Sequence, residues 1–304
     1  MPRDQIVSRG EPPRISIIVP TRDRPQALAR CLEALADQTL ADTLEVIVVD
    51  DGSIAAQDVR EAVNLHRHAR LVRGTGAGPA AARNVGAQHA RGAALCFTDD
   101  DCVPDEEWAE RLAEALDRGA DAAAGTTLSG GGALAEASEL VAHAPAAAAG
   151  HDGRLQFAPS NNLACKRTVF EMIQFDESYP TAAGEDREWC ARLNAAGYVL
   201  RLEENARVVH HQDLTAGTFL RQQFRYGEGA YRFRRGNEGR RPLQPRSFYT
   251  TLLRRAFHEG FRVGLLVSVA QLATTAGFAL AWGKSSLDAA RLGRRRPPSP
   301  GMGA

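Results

Sequence analysis

Short runs of apolar residues alternate along the first half of the chain with segments whose apolar residues recur at helical spacing. Residues 15–19 and 44–49 are β-branched runs of strand length, and residues 25–38 between them place Leu and Cys three or four positions apart. Strand-length runs alternating with a helical period are typical of βαβ units. The pattern therefore predicts an α/β fold with a mostly parallel central sheet and helices on its faces.

The same pattern extends into the second half. It predicts helices at residues 57–66, 79–90, 104–117, 167–173, 184–196 and 218–235, and strands near residues 71–72, 93–97, 120–126, 199–202 and 207–209. The Gly- and Ala-rich stretch 130–150 is left open between a mobile loop and a poorly specified helix. We take this stretch as the border between two halves of the chain.

A long apolar stretch lies near the C-terminus, at residues 261–283. Its length is adequate for a membrane-spanning helix, but Arg262, Gln271 and two glycines make it only marginally hydrophobic. Arginines occur on both sides of the stretch, which disfavours a single span. A helix lying in the membrane interface or a helical hairpin fits better. A buried C-terminal helix remains the alternative.

The overall charge indicates no particular partner, because 37 Lys and Arg residues balance 37 Asp and Glu residues among 304. Nucleic acid is not expected. The stretch 218–262 is different, with eleven Arg against three Glu, and could meet phosphate, anionic lipid or an acidic polymer, with a solvated helix face as the alternative. The five cysteines are scattered, which fits a reducing compartment. The first residues are polar and contain no apolar signal core, so we expect a cytoplasmic protein.

Three consecutive carboxylates, Asp99, Asp100 and Asp101, follow the apolar run 93–97. Adjacent carboxylates repel one another, so their place at a strand end needs a reason. A divalent cation that holds a diphosphate supplies one, because Mg²⁺ and Mn²⁺ prefer oxygen ligands. An acidic surface turn is the alternative.

Polar residues also follow the other predicted parallel strands. Pro20 and Thr21 follow the first strand, and Asp50 and Asp51 follow the second. Parallel strands bring such ends to one edge of the sheet, where open α/β folds bind ligands. Arg83, on the helix before the acidic strand, could reach a diphosphate because its guanidinium offers paired donors.

Five segments carry a family resemblance. They are Ile17-Ile18-Val19-Pro20-Thr21-Arg22-Asp23-Arg24, Glu45-Val46-Ile47-Val48-Val49-Asp50-Asp51-Gly52-Ser53, Ala81-Ala82-Arg83-Asn84-Val85-Gly86, Phe97-Thr98-Asp99-Asp100-Asp101-Cys102-Val103-Pro104 and Gly184-Glu185-Asp186-Arg187-Glu188-Trp189. Together they resemble the family 2 glycosyltransferases, which are inverting enzymes of the GT-A fold. The resemblance covers roughly residues 14–235.

The resemblance implies a donor site and a metal site. Asp51 would read the nucleotide base, usually uracil, beside the turn formed by Pro20 and Thr21, and Arg83 would lie near the diphosphate. The fourth segment resembles the DxD motif, which implies that Asp99 and Asp101 hold a divalent metal (Mn²⁺ or Mg²⁺) and the donor ribose. Asp100 would belong to the donor site as well.

The resemblance also implies an acceptor site. Asp186 would be the general base, and Glu185 beside it would shape the acceptor pocket. Asn161 and Asn162 would contact sugar hydroxyls, with turn chemistry as the alternative. His210 matches a position where relatives carry a metal- or diphosphate-contacting His, and His211 is the competing choice.

Two departures from the family pattern limit what can be carried over. Tyr226 stands where the QxxRW element of processive members has Trp, so we favour transfer of a single sugar. Ile173-Gln174-Phe175-Asp176-Glu177 lacks the glycines that relatives often carry there, so the acceptor cannot be inferred from them.

The sequence thus predicts a metal-dependent inverting glycosyltransferase that uses a nucleotide-diphosphate sugar, with UDP favoured. The expected acceptor is a glycan or lipid-linked molecule at the inner face of the membrane, and an oligomer stays open. The predicted organisation is a flexible N-terminus (1–13), a GT-A domain (14–235, with a nucleotide-sugar half 14–128 and an acceptor half 150–235), a helical extension (236–290) and a disordered tail (291–304). The alternatives are an inactive nucleotide-sugar-binding relative and a Mg²⁺-dependent receiver-type signalling domain. For the receiver-type alternative, the chain lacks a well-placed Lys.

Overall fold

The computed structural model describes residues 12–145, 153–179, 181, 183–236 and 244–293. The strands are β1 (Ile15–Thr21), β2 (Leu44–Asp50), β3 (Ala69–Arg73), β4 (Ala94–Thr98), β5 (Cys102–Pro104), β6 (Ala122–Ser129), β7 (Asn162–Lys166) and β8 (Leu200–His210). The α-helices are α1 (Pro25–Ala36), α2 (Ala56–Asn64), α3 (Pro79–His89), α4 (Trp108–Asp117), α5 (Ala133–His143), α6 (Arg167–Met172), α7 (Glu185–Ala195), α8 (Ala216–Gly236), α9 (Arg246–Glu259) and α10 (Phe261–Gly293).

The described strands form one sheet in the order β3-β2-β1-β4-β7-β6-β8-β5. Four neighbouring pairs are parallel, namely β1 with β2, β1 with β4, β2 with β3, and β6 with β8. The other three pairs are antiparallel. The predicted α/β class and mostly parallel sheet are confirmed.

The sheet is covered on both faces, which explains why its first strands are apolar throughout. Side chains alternate between the faces, so Ile17 of β1 belongs to the apolar cluster that contains residues of α1, α2 and α4, whereas Ile18 belongs to the cluster that contains residues of α3 and α7. All seven residues of β1 and of β2 are buried. The polar residues at the ends of these strands therefore stand on a rigid base.

Three strands differ from the prediction. β5 and β7 were not predicted, because β5 has only three residues including a proline and β7 begins with a buried asparagine. The two strands predicted near 199–202 and 207–209 are one strand, β8, whose polar middle stays extended next to a register irregularity in β6. Tertiary pairing formed these strands where local propensity was weak.

The C-terminal helices pack beside the sheet around a separate apolar cluster that includes Phe219, Leu252 and Val267. α5, in the stretch left open by the sequence, belongs to this layer through Ala137. α8 and α10 approach closely at two glycines. A Cβ on Gly227 would lie 2.0 Å from the carbonyl oxygen of Thr274, and one on Gly277 would lie 2.0 Å from that of Phe224.

α10 includes the predicted apolar stretch as one continuous helix. By length and composition alone, Phe261–Ser286 could cross a membrane, with a mean hydropathy of 1.7, and 28% of its most apolar window is buried. The predicted flexible N-terminus lies outside the described residues except for 12 and 13. The predicted tail also lies outside them, except for residues 291–293, which belong to α10.

Candidate active site

The ends of β1 and β2 are fixed by hydrogen bonds that backbone amides donate to the Asp51 carboxylate and to the Thr21 carbonyl. Asp51 follows β2, and its two carboxylate oxygens accept hydrogen bonds from the amides of Gly76 and Gly78, each at 2.8 Å. Its own amide donates to the carbonyl of Thr21 at 2.9 Å. Asp51 thus ties the loop after β3 to the end of β1, beside Pro20 and Thr21. Its predicted contact with a nucleotide base stays a prediction.

Each carboxylate of the acidic triplet has a different set of partners, which relieves the repulsion among them. Asp99 accepts a 2.6 Å hydrogen bond from Arg83. Arg24 lies 2.6 Å from Asp100 and 2.5 Å from Asp101. The triplet forms a tight turn between β4 and β5, closed by a hydrogen bond from the amide of Cys102 to the carbonyl of Asp99 at 3.1 Å.

The predicted contact of Asp100 with the donor needs a correction, because the Asp100 side chain is fully buried and is directed into the protein. It accepts a 2.6 Å hydrogen bond from the Thr21 hydroxyl and pairs with Arg24. Burial, opposed by Arg24, raises the pKa of Asp100 to about 7. A direct donor contact does not fit this placement. Asp100 instead anchors Thr21 and Arg24 to the turn.

Asp101 and His210 are brought together by strand register. β5 pairs antiparallel with β8 so that Cys102 lies opposite His210, and Nε2 of His210 lies 3.2 Å from Oδ1 of Asp101. Among the described residues, this Oδ1 has no partner in hydrogen-bond geometry although it is buried. His211 makes only a backbone contact with Asp101, through its amide. Of the two candidate histidines, His210 is therefore the one beside the acidic turn.

The donor atoms of this turn fit a divalent cation. Asp101, Cys102 and His210 each offer a ligand atom within 4.8 Å of the others. Burial raises the pKa of the Cys102 thiol well above its usual range, so the carboxylate and the imidazole are the better ligands. Asp99, the other predicted metal ligand, is not part of this group, and its carboxylate pairs with Arg83.

The pKa of each member of the acid–histidine pair is shifted. Burial alone would raise the pKa of Asp101, but His210 and Arg24 outweigh it and lower the value to about 2. Burial alone would lower the pKa of His210, but Asp101 and Glu139 raise it to about 10. Without a cation, the pair is therefore an ion pair. A metal would have to displace the imidazole proton, since only neutral His is a ligand.

Arg83 connects the acidic turn to the second acidic motif. It is buried in α3, and its guanidinium lies 2.6 Å from Asp99 and 3.3 Å from Glu185. The same guanidinium lies over the ring of Phe175 at 5.7 Å. One fixed cation thus couples the predicted donor acid to the predicted acceptor acid.

Glu185 and Asp186 form the first turn of α7, directly after Gly184. Gly184 has a φ of +99°, a conformation that glycine adopts without a steric cost. Acidic residues are favoured in this turn by the helix dipole. Burial, with the charge of Asp186, raises the pKa of Glu185 to about 7, and burial also raises the pKa of Asp186. As a whole residue Asp186 is less buried than Glu185, and both residues line the cavity.

The two predicted sugar-contacting asparagines occupy different environments. Asn161 lies at the cavity, 3.4 Å from Nδ1 of His210. Asn162 is fully buried and accepts a 2.8 Å hydrogen bond from the Trp108 indole. Its amide donates to the carbonyls of Thr126 and Ala206, both at 3.1 Å. Asn162 is therefore a framework residue that joins α4, β6 and β8, and the expected sugar contact does not fit it.

A cavity of about 230 Å³ joins these groups. It is lined by Asp99, Arg83, His210, Glu185 and Asp186 and by residues of the C-terminal helices, including Tyr226, Tyr249, Gln271, Thr274 and Phe278. Both acidic motifs thus face one space. Residues of α8, α9 and α10 form part of its wall.

Two charged residues of this region were assigned no role from the sequence. Arg24 pairs with two members of the acidic triplet, and its place just after the first strand was the available signal. Glu139 contacts His210 from α5. The only sequence signal for Glu139 was its i, i+4 spacing to His143, within a stretch of uncertain structure.

The chain is similar in sequence to known proteins. The family model described as Glycosyl transferase family 2 matches residues 16–162. Glycosyltransferase AglE of Haloferax volcanii is 30% identical over 228 residues, which cover 71% of this chain and 73% of that protein. Pre-mycofactocin glycosyltransferase of Mycobacterium tuberculosis is 27% identical over 246 residues, covering 75% of this chain and half (50%) of that protein.

A solved structure is similar in fold. It is the mannosyltransferase PcManGT from Pyrobaculum calidifontis in complex with GDP-Man and Mn²⁺, with a TM-score of 0.56 over 92% of this chain and 80% of that chain. At 20% identity this similarity shows the fold. The GT-A architecture predicted from the sequence is confirmed.

Proposed function

Because the chain belongs to glycosyl transferase family 2 and is a glycosyltransferase, we propose that it transfers a single sugar, with inversion, from a nucleoside-diphosphate sugar to an acceptor hydroxyl. UDP is the favoured nucleotide, on the resemblance of the Asp51 segment. The observation that carries the proposal is the shared cavity, which Asp99 and His210 line together with Glu185 and Asp186. Donor and acceptor would meet there.

The acceptor side of the proposal rests on the partly exposed Asp186. An acceptor hydroxyl is a poor nucleophile, so a carboxylate at the cavity would take its proton as it attacks the sugar. The raised pKa of Asp186 makes it a stronger base than an exposed aspartate. Glu185 is tied to Arg83 and to the amide of Ala183 at 2.9 Å, so it would shape the site while Asp186 moves the proton. A single base without a covalent intermediate gives inversion.

The donor side rests on the acidic turn. Asp101 and His210 would hold Mn²⁺ or Mg²⁺, with Asp99 beside them toward the donor. A bound cation would neutralise the charge that develops on the leaving diphosphate. Arg24 and Arg83 keep the carboxylates of the turn in place before a donor arrives.

A panel of nucleotide sugars tests this function. The full-length protein would be incubated with UDP-, GDP- and dTDP-sugars and Mn²⁺, and nucleotide release and donor binding would be measured in the same samples, with and without EDTA. We expect metal-dependent binding of one nucleotide class and release with an acceptor. Absence of metal-dependent binding across the panel would contradict the proposal and favour an inactive relative.

We further propose that the acceptor is lipid-linked or an envelope glycan reached at the inner face of the membrane. The support is the outer face of α10, where Phe261 (71% exposed) and Leu272 (72% exposed) stand among further exposed apolar residues. Arg254, Arg255 and Arg262 are exposed near the start of this helix. An apolar face next to cationic side chains suits an interface with anionic lipid.

Vesicle co-sedimentation tests the membrane proposal. Leu272→Glu should weaken binding to vesicles that contain phosphatidylglycerol. The matched control is Leu65→Glu, because Leu65 is an equally exposed leucine (82%) on the nucleotide side of the fold. Vesicle binding that is absent in the unaltered protein, or equal in both variants, would contradict a role for this face.

A further inference from the structure

Glu139 is a buried carboxylate that neither acidic motif includes. It lies in α5, the helix between the two halves of the chain, and its side chain is almost completely buried. A carboxylate is buried only when it is paired or hydrogen-bonded, because desolvation of the charge is costly. The partners of Glu139 therefore indicate what it does.

One partner of Glu139 is the candidate metal ligand. Its Oε1 contacts Nδ1 of His210, while Nε2 on the other side of the same ring lies 3.2 Å from Asp101. Its Oε2 lies 3.0 Å from Nδ1 of His143, one turn further along α5. The four side chains form a row from the acidic turn through the imidazole to α5.

α5 is held in place independently of this row. Ser138, the residue before Glu139, is fully buried and donates a 3.0 Å hydrogen bond to Gln222 of α8. Gln223, the next residue of α8, donates to the Ser138 hydroxyl at 3.3 Å. Of two adjacent residues of α5, Ser138 thus fastens the helix to α8 and Glu139 contacts His210. The position of the carboxylate is fixed by the packing of the helix.

This arrangement matches a general feature of metal sites. A ligating histidine usually donates its second ring N–H to a carboxylate, which fixes the tautomer and the ring orientation and makes the ligand more basic. Once a cation has displaced the imidazole proton that faces Asp101, Nδ1 of His210 would still donate to Glu139, and Nε2 would be the unprotonated nitrogen on the Asp101 side. Neutral histidine can bind a cation only through an unprotonated nitrogen.

We propose that Glu139 is a positioning residue that orients His210 for binding of the divalent cation. The inference rests on the proposed metal site and adds to it a residue that lies within the matched segment 16–162 but in none of the five segments that carry the family resemblance. Glu139 also lines the cavity, and in this proposal it acts through the imidazole of His210.

Mn²⁺ binding measured by electron paramagnetic resonance, without any nucleotide sugar, tests this role. Glu139→Gln keeps the shape but loses the charge, and should weaken Mn²⁺ binding about tenfold; Glu139→Ala removes the partner and should weaken it up to about a hundredfold. Glu136→Gln and Glu136→Ala are the matched controls, because Glu136 lies one turn earlier on the same helix. They should stay within about twofold of the unaltered protein.

A second readout separates positioning from loss of folding. Nitrogen-15 shifts of the His210 ring, recorded with Mg²⁺, should report the Nδ1-protonated tautomer in the unaltered protein and a mixture in Glu139→Ala. Thermal unfolding of each variant would be recorded beside these spectra. Glu139→Gln is the conservative variant that keeps the test valid if the alanine variant unfolds.

The outcomes separate this inference from the proposed function. If His210→Ala abolishes Mn²⁺ binding while both Glu139 variants bind as the unaltered protein does, the positioning role is wrong and the metal site stands. Equal weakening by the Glu139 and Glu136 variants would also overturn it, since a general loss of negative charge would then be the cause. No Mn²⁺ binding by the unaltered protein would overturn both.

Discussion

Two regions border the cavity but are stabilised differently. One is the sheet edge that carries Asp51 and the acidic turn 99–101, here called the donor edge, and the other is the wall of C-terminal helices. At the donor edge, charged side chains hold loops and one another, as Asp51 does for Gly76 and Gly78 and Arg24 does for the acidic turn. In the helical wall, α8 and α10 meet through backbone approach at glycines. The first region fixes individual atoms, whereas the second fixes the position of whole helices.

This difference has a consequence for function. In the proposed function a metal and a diphosphate would need ligand atoms at defined positions, and short side chains at the ends of buried strands would supply them. The proposed acceptor would need a shaped space, and packed helices supply a cavity wall. Substitutions at the donor edge should therefore change the chemistry or the affinity, while substitutions in the wall should first change stability.

The largest effect is expected where the two regions meet, at Asp186. Asp186→Asn removes the proposed base and should lower kcat about 10²- to 10⁴-fold while donor binding is retained. Glu188→Gln is the control on the same helix, because Glu188 pairs with Arg192 away from the cavity. A loss of kcat below about tenfold in Asp186→Asn would remove this residue from the role.

The pH dependence of kcat tests the acidic pair at the start of α7, where the two regions meet. The base must be ionised, and the raised pKa values of Glu185 (to about 7) and Asp186 shift ionisation toward neutral pH. At saturating Mn²⁺, kcat should therefore fall by roughly tenfold per pH unit as the pH drops below about 7. The apparent pKa of this profile would belong to Glu185 and Asp186 together. A profile that is flat from pH 5 to 8 would contradict it.

A smaller effect is expected at the donor edge. Asp51→Asn replaces a carboxylate that accepts two amide hydrogen bonds, and should loosen the loop 74–78 beside the donor. Losing a charged acceptor is worth about 1.5–3 kcal/mol, so KM for the donor should rise at least about tenfold with kcat less affected. Asp58→Asn, on the exposed face of α2, is the matched control. Equal KM values in both variants would show that Asp51 does not support the donor.

The smallest effect concerns the helical wall. In Gly277→Ala, the new Cβ would meet the backbone of Phe224 at 2.0 Å, so α8 and α10 must separate. The expected loss is about 1–3 kcal/mol in the free energy of unfolding, measured in urea. Gly283→Ala in the same helix meets nothing within 4 Å and should gain about 0.5–1 kcal/mol. Equal changes in both variants would mean that the close approach contributes nothing.

The two regions also differ in how far the sequence predicted them. The buried strands β1, β2 and β4 were placed correctly, because apolar runs and the polar residues that end them are local signals. A sugar contact was predicted for Asn162 because it stands in a polar segment of the sequence. Its actual partners, Trp108, Thr126 and Ala206, are brought to it by the fold. No local pattern reports such contacts.

The helical wall was predicted less well for a related reason. α5 was left open because Gly and Ala carry little periodic signal, yet the packing of Ala137 and the hydrogen bonds of Ser138 fix it as a helix. Glu139 could not be linked to His210 from the sequence, since 71 positions separate them. Tertiary packing decided both points.

The pairing of β5 with β8 also sets the order in which the site can be assembled during synthesis. Asp101 precedes β5, whereas His210 is the last residue of the final strand, so a growing chain exposes the acidic turn long before its imidazole partner exists. N-terminal segments leave the ribosome first, and distant pairings close slowly. A nascent chain that ends before β8 therefore lacks the Asp101–His210 pair, and metal capture by that pair would mark a chain whose sheet is complete.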